Sequence, residues 1–302
     1  MGEFPAHSPS REFAHSSIRM EHRSRIVTLV SPPALFLIVL FLLPIGFMAL
    51  FSFRVGTFGE TRNMFTLDHY RDFFANAPLL RLLWRSLLIS FWVSLYSVVL
   101  AYPIAYYLVF RAGDRKLLLL TIIIVPAWVS YLLRVLAWKV ILGSTGILAS
   151  FIAWIGLDPR ESAFLLYSSD AVTVTLVYVW IPFVALPIFA ALERIDPHLL
   201  EAAADLGCTK FEAFLRVTLP LSLPGVVAGF LFVFIPTVGE YVTPALVGGT
   251  GGVMFGNLIQ DQFLRGLNWP VGSLMSLAML AIVLIPLVVF ARFFRFSEIS
   301  GI

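Results

Sequence analysis

The chain has 302 residues, 59% of them hydrophobic and only 13% charged, with a mean hydropathy of +0.91. Soluble domains sit near about 45–50% apolar and about 25% charged, so the composition excludes one and defines a polytopic membrane protein. The net charge of +3 requires no nucleic-acid partner, because cytoplasmic loops of membrane proteins are enriched in Lys and Arg. The single cysteine, Cys208, excludes an internal disulfide and a Cys-cluster metal site. The five histidines show no ligand spacing, so no metal site is expected.

Residues 1–19 are polar, carry Pro and Ser, and show no periodicity. Met20 is a candidate start, and the residues before it a leader or a non-native or disordered extension. Residues 1–30 are read as a cytoplasmic tail, since Arg19, Arg23 and Arg25 precede the first apolar run. That run, 31–53, is long enough to cross a ~30 Å hydrocarbon core. An aromatic-rich external loop follows at 54–81, where Leu67, Tyr70, Phe73 and Phe74 suggest a short interfacial helix.

Further spans are expected at 85–110, 117–140, 171–192, 221–238 and 272–294. The domain is therefore a six-span unit over 31–296, with a short tail at 297–302. Six spans put both termini on one side. The short turn with Arg111, Arg115 and Lys116 is the best marker of the cytoplasmic face, because short loops follow the positive-inside rule best. Arg62 and Arg160 fall in outer loops and weaken the bias. Every span contains or abuts proline (Pro44, Pro103, Pro126, Pro182, Pro187, Pro236, Pro286), which permits kinks. Bent helices around a cavity are one use of these prolines, and general tolerance of Pro in membrane helices is the plainer one.

Between the fourth and fifth spans, 193–220 is polar and helix-forming. Asp196 caps a helix whose first position is Pro197. Leu199, Leu200, Ala203 and Leu206 give it one apolar face. Gly207 stands where a helix ends in a left-handed residue. Thr209 followed by Glu212 is a capping box that opens a second short helix with an apolar face of Phe211, Phe214 and Leu215, and Pro220 ends it or starts the next element.

Glu201-Ala202-Ala203, Gly207 and Val217-Thr218-Leu219-Pro220 resemble, spacing included, the EAA loop of bacterial ABC importer permeases. The resemblance implies an all-α integral membrane fold of the type I importer class. Its six transmembrane helices carry a cytoplasmic coupling helix that docks on a separate ATPase subunit. Glu201, Ala202, Ala203, Asp205, Gly207, Leu219 and Pro220 are the coupling residues so implied. Without the resemblance, 193–220 reads as a surface pair of amphipathic helices.

No catalytic constellation is present: the chain has no GxxxxGK[ST], no HExxH and no GxSxG. Energy must come from a partner or an ion gradient, and the chain is not expected to be an enzyme. Two regions are candidates for solute contact. Trp128, Tyr131, Arg134 or Val135, and Trp138 recur on one helical face, whose plainer reading is an interfacial aromatic belt with a snorkelling Arg. Glu240 with Tyr241 at the end of the fifth span could attract an amine by charge and cation–π contact, or Glu240 is a hydrated loop residue. Asp261 and Trp269 are weaker candidates.

The stretches 126–138, 191–207, 234–249 and 268–273 are similar to the spermidine/putrescine-type subfamily of these permeases, which also includes permeases for opines and other small organic solutes. The resemblance implies a bacterial inner-membrane location with cytoplasmic termini. It implies a second homologous permease, two ATPase copies, a periplasmic solute-binding protein and membrane lipid as partners. It implies no cofactor in this chain, since ATP and Mg bind the ATPase. Carboxylates near the pathway suit a cationic solute, whereas Arg134 would repel one unless paired. The runner-up is a self-contained secondary transporter or channel, for which the spans offer few ionisable residues.

Overall fold

A computed structural model describes residues 10–56, 64–158 and 167–299 of the chain. Of the positions singled out above, residues 1–9 and 300–302 of the tails, Arg62 and Arg160 lie outside the described residues.

Twelve helices account for nearly all the described residues. Helix α1 (Ser10–Ser52) begins inside the aperiodic leader, and its apolar part, Leu29–Ser52, covers the first expected span. The short helix α2 (Asp68–Ala75) leads to α3 (Ala77–Phe110), which Asn76 caps by accepting from the Leu79 N–H. After a basic turn come α4 (Lys116–Ile124), α5 (Tyr131–Ile141) and α6 (Ile147–Trp154). Helix α7 (Ser169–Glu193) is followed by α8 (Pro197–Asp205), the one-turn α9 (Lys210–Ala213) and α10 (Leu219–Val238). Helices α11 (Phe255–Leu264) and α12 (Trp269–Ile299) complete the fold.

Among the described residues, five helical stretches are long and apolar enough to cross a membrane, and a sixth results if the bent α4–α5 pair is one span. The third expected span is therefore not straight. It breaks at Val129 and Ser130, which are extended, and the two halves meet at 89°. Pro126 lacks the N–H an unbroken helix would need, so the ladder tightens to a 3₁₀ turn over Val125–Trp128 before it fails. Trp128 is thereby cut off from the face it was expected to share with Tyr131, Arg134 and Trp138.

The core is α3, α7 and α10. Arg85 near the start of α3 bonds Ser169 at the start of α7, and Lys116 just past α3 pairs with Glu193 at the end of α7. The two helices thus run parallel. Tyr102 near the far end of α3 bonds Ser222 near the start of α10, so α10 runs back between the same ends. Small side chains make this packing possible. Ser86, Ser90, Ser94, Ser97, Ala101 and Ala105 of α3 are all buried. Ser86, Ser90 and Ser94 each return their hydroxyl to the carbonyl four residues back, so these three are satisfied within their own helix. On α10, Gly225 and Gly229 form a GxxxG step against α7. A Cβ on Gly225 would meet the Pro187 carbonyl oxygen at 2.5 Å, and one on Gly229 would meet Val184 at 3.1 Å.

The second helix of the polar segment is not a separate element. Beyond Ala213 the chain passes through a π-helical turn, Phe214–Thr218, straight into α10. Pro220 opens α10, where its missing N–H is unneeded. Phe73 of α2, expected at the interface, is buried against Leu83, Phe255, Leu274 and Met275.

Candidate functional site: an elbow and a buried cation

The two regions of interest lie toward opposite ends of the bundle. The elbow joins the end of α7 to the start of α10, at the end that also holds the basic turn 111–116. Its caps form as the sequence dictates. Asp196 Oδ1 accepts from the His198 N–H at 3.0 Å. At the other end of α8, Gly207 is left-handed (φ 83°), the Gly207 N–H donates to the Ala204 carbonyl at 2.9 Å and the Cys208 N–H to Ala203 at 3.0 Å. That is the double closure of a Schellman motif, satisfying carbonyls that a helix end otherwise leaves open. Thr209 then donates its N–H and its hydroxyl to Glu212 Oε2 at 2.8 and 2.9 Å, and the Glu212 N–H returns a bond to the Thr209 hydroxyl at 3.3 Å. These donors, the Thr209 backbone first, hold the Glu212 carboxyl below its ordinary value.

The apolar face of the elbow divides. Ala203 is buried and Leu200 half-buried, whereas Leu206 is 86% exposed and Phe211 69%, with Leu199 also outside. Phe214, the other aromatic of that face, turns inward. Its ring stands edge-on to both Tyr102 and Tyr106 of α3, 5.8 Å from each centroid. Glu201 is exposed and pairs with His198 Nδ1 at 3.1 Å; Ala202 and Asp205 are exposed beside it. Leu219 is half-buried and Pro220 exposed at the mouth of α10.

Toward the other end, α5 is laid across α7 and the loop after α10. The Tyr131 hydroxyl bonds the Thr243 hydroxyl and lies within reach of Glu240. Glu240 is already engaged: its Oε1 accepts the Val242 and Thr243 N–H groups at 2.8 and 3.1 Å and so caps the π-helical turn Pro244–Gly248. Arg134 is only 9% exposed. One guanidinium N–H donates to the Val179 carbonyl at 3.2 Å, while Nε has no partner. None of the ion pairs among the described residues includes it. Arg134 lines a cavity of about 290 Å³ together with Pro126, Leu133, Ile141, Trp138 and Tyr178, the last two rings 5.3 Å apart.

The remaining expected pathway residues do not join this cluster. Trp128 is 82% exposed on the far side of the bend. Asp261 pairs with Arg265 at 3.3 Å, one turn along α11. Trp269 packs between Phe51 and Phe263, fastening α1 to α11 and α12. Sequence reading missed the Tyr102–Phe214–Tyr106 contact, although the tyrosines' spacing of four already placed them on one face of α3.

A bundle of membrane-spanning helices, one of them broken after a proline, that carries a firmly capped elbow at one end is the architecture of a solute-transport membrane subunit. The model of binding-protein-dependent transport system inner membrane components matches residues 83–298. The chain is 35% identical over 248 residues to the spermidine/putrescine transport system permease protein PotB of Salmonella typhimurium, covering 78% of this chain and 85% of that one. The fold is that of a bacterial ABC transporter involved in the import of the acidic polysaccharide alginate. The match has a TM-score of 0.68 at 17% identity and covers 92% of this chain and 98% of that one. A bacterial alginate ABC transporter in complex with an alginate pentasaccharide-bound periplasmic protein superposes with a TM-score of 0.66 at 19% identity, covering 90% of this chain and 94% of that one. The chain therefore belongs to the family of binding-protein-dependent inner-membrane transport components. It is a multi-pass permease subunit of the type I importer fold.

Proposed function

We propose that this permease forms one half of the pathway by which an ATP-driven importer takes up a small amine of the spermidine/putrescine type or an amino-acid-derived relative. A second, homologous permease supplies the other half. Two ATPase copies bind ATP and Mg²⁺ on the cytoplasmic side, and a periplasmic binding protein delivers the solute. This chain hydrolyses no nucleotide. The likeness to PotB supports the solute class, and the basic turn 111–116 supports cytoplasmic termini.

The single observation that carries the reading is the elbow tip. Leu199, Leu206 and Phe211 stand exposed on a rigidly capped segment beside exposed Ala202 and Glu201. Apolar side chains presented together outside the spans mark a docking surface, and an ATPase groove is the partner that gives a transporter its power stroke. Closure of the ATPase dimer moves the elbow, and the bent spans exchange inward-facing for outward-facing openings. ATP binding on the partner supplies the free energy; this chain's residues convert displacement into altered access.

The test is purification of the tagged chain from its own membrane, followed by uptake of labelled putrescine, spermidine and an opine into vesicles holding the assembly. Co-purification of an ATPase and ATP-dependent uptake of one of these solutes are expected. Uptake that persists without any ATPase would overturn the importer reading in favour of a self-contained transporter. Indifference to all three solutes would remove the solute class and leave the importer standing.

A further inference from the structure

Arg134 is a charge the established machinery does not use. A guanidinium stays protonated in a protein, so burial cannot neutralise it. Here it is 9% exposed, with one bond to a carbonyl, an unpartnered Nε and no carboxylate among the described residues close enough to pair. Its depth narrows the choice of counter-ion. Val179, whose carbonyl it touches, lies about 15 Å along α7 from Ser169 and about 21 Å from Glu193 at ~1.5 Å per residue. That is near the middle of a hydrocarbon core about 30 Å thick. A phospholipid phosphate does not sit there, whereas solutes in transit through a permease do.

The surroundings complete a site. The cavity of about 290 Å³ that Arg134 lines is close to the lower size limit for small-molecule pockets, and its other walls are aliphatic apart from Trp138 and Tyr178. On the neighbouring side, Tyr131 stands beside both Arg134 and Glu240, so a cation and a carboxylate flank one tyrosine. An amine alone would be repelled by the first of these charges. A molecule that carries a carboxylate as well as an ammonium group would bring that cation a partner.

We propose that Arg134 is a specificity-determining residue whose free guanidinium edge takes a carboxylate of the solute, so that the permease carries amino-acid-type amines in preference to bare diamines. The proposal rests on the importer reading above and deepens its solute class. Trp138 and Tyr178 provide the apolar floor along which the carbon chain lies.

Ornithine and putrescine differ by one carboxylate and serve as the probes. Binding of each, radiolabelled, is measured on the co-purified assembly in lipid nanodiscs without binding protein, so that the membrane subunits alone discriminate. The wild type is expected to hold ornithine at least about tenfold more tightly than putrescine, as one charge-assisted hydrogen bond allows. Arg134→Gln should erase that preference, weakening ornithine and, with the repelling charge gone, strengthening putrescine, and Arg134→Lys should retain part of it. Equal binding of both probes by the wild type, or an ornithine preference that survives Arg134→Gln, would overturn the proposal. So would loss of the second permease from the Arg134→Gln preparation, which would assign the missing carboxylate to that subunit. Absence of an ATPase from the wild-type preparation is a different failure, that of the importer reading itself.

Discussion

Gly225 of α10 and Ala191 of α7 stand so close that a Cβ built on the glycine would lie 2.4 Å from the Ala191 Cβ and 2.5 Å from the Pro187 carbonyl oxygen, one turn earlier on α7. The backbones of the two helices are in contact there, and neither neighbour is a flexible side-chain end. Gly225→Leu should therefore force α10 off α7. The expected outcome is a fall in thermal stability of the purified permease by several degrees, with reduced yield. Ala228→Leu, one turn from the contact, is the control. An unchanged melting curve for Gly225→Leu would contradict the packing.

The capping box at Thr209 and Glu212 fixes the angle at which the elbow turns into the membrane. Thr209→Ala removes two bonds to Glu212 and should cost about 1 kcal/mol of local helix stability. Hydrogen exchange at Lys210–Ala213 reads this directly, with amides there expected to exchange roughly fivefold faster. The pH dependence follows from the lowered pKa of Glu212. Its stabilisation is complete above the usual Glu range and is lost as pH falls through the depressed folded value. Protection should thus persist at pH 5 and fade in stronger acid; fading between pH 7 and 6 would contradict the assignment.

Glu201 lies exposed on the outer side of the elbow, bonded only to its neighbour His198. Glu201→Lys should leave the fold and span insertion intact. ATPase co-purification or solute-stimulated ATP hydrolysis should drop tenfold or more. Normal import at normal complex levels by this variant would show that the elbow does not do the docking.

Phe214→Ala empties the space between Tyr102 and Tyr106. Removing a half-buried aromatic clamp should cost about 3 kcal/mol or less. More informatively, it should uncouple basal ATP hydrolysis from uptake, because the ring joins the elbow to α3. Phe214→Tyr should retain coupling. Equal coupling ratios for Phe214→Ala and wild type would assign the cluster to packing alone.

Much of the elbow was legible in the sequence because caps are local chemistry. Asp196, Gly207, Thr209 and Glu212 act within four residues of themselves, and each does in the structure what its side chain or backbone suggests. The division of the apolar face was not legible, since helical periodicity gives a stripe but not its partner: Ala203 turns inward while Leu206 stays out. The break at Val129–Ser130 escaped notice because an apolar run with one proline reads equally well as a kinked span. Glu240 looked free because its partners are backbone N–H groups, which sequence does not display. Arg134 posed the sharpest ambiguity: no pattern tells whether an Arg in an apolar run snorkels to water or is enclosed, and only its carbonyl partner on α7 decides it.

The unbroken run from Lys210 to Val238 carries a mechanical implication. Its 29 residues make a rod about 43 Å long. Phe214, gripped by two tyrosines near one tip, is its natural fulcrum. Swinging such a beam by about 10° sweeps its distant tip through roughly 6 Å, comparable to one helical turn. Glu240 and Thr243, which meet Tyr131, ride just beyond that tip. Because Gly225 holds α10 against α7, such a swing would have to carry α7 with it and would draw the tyrosine's partners away from α5.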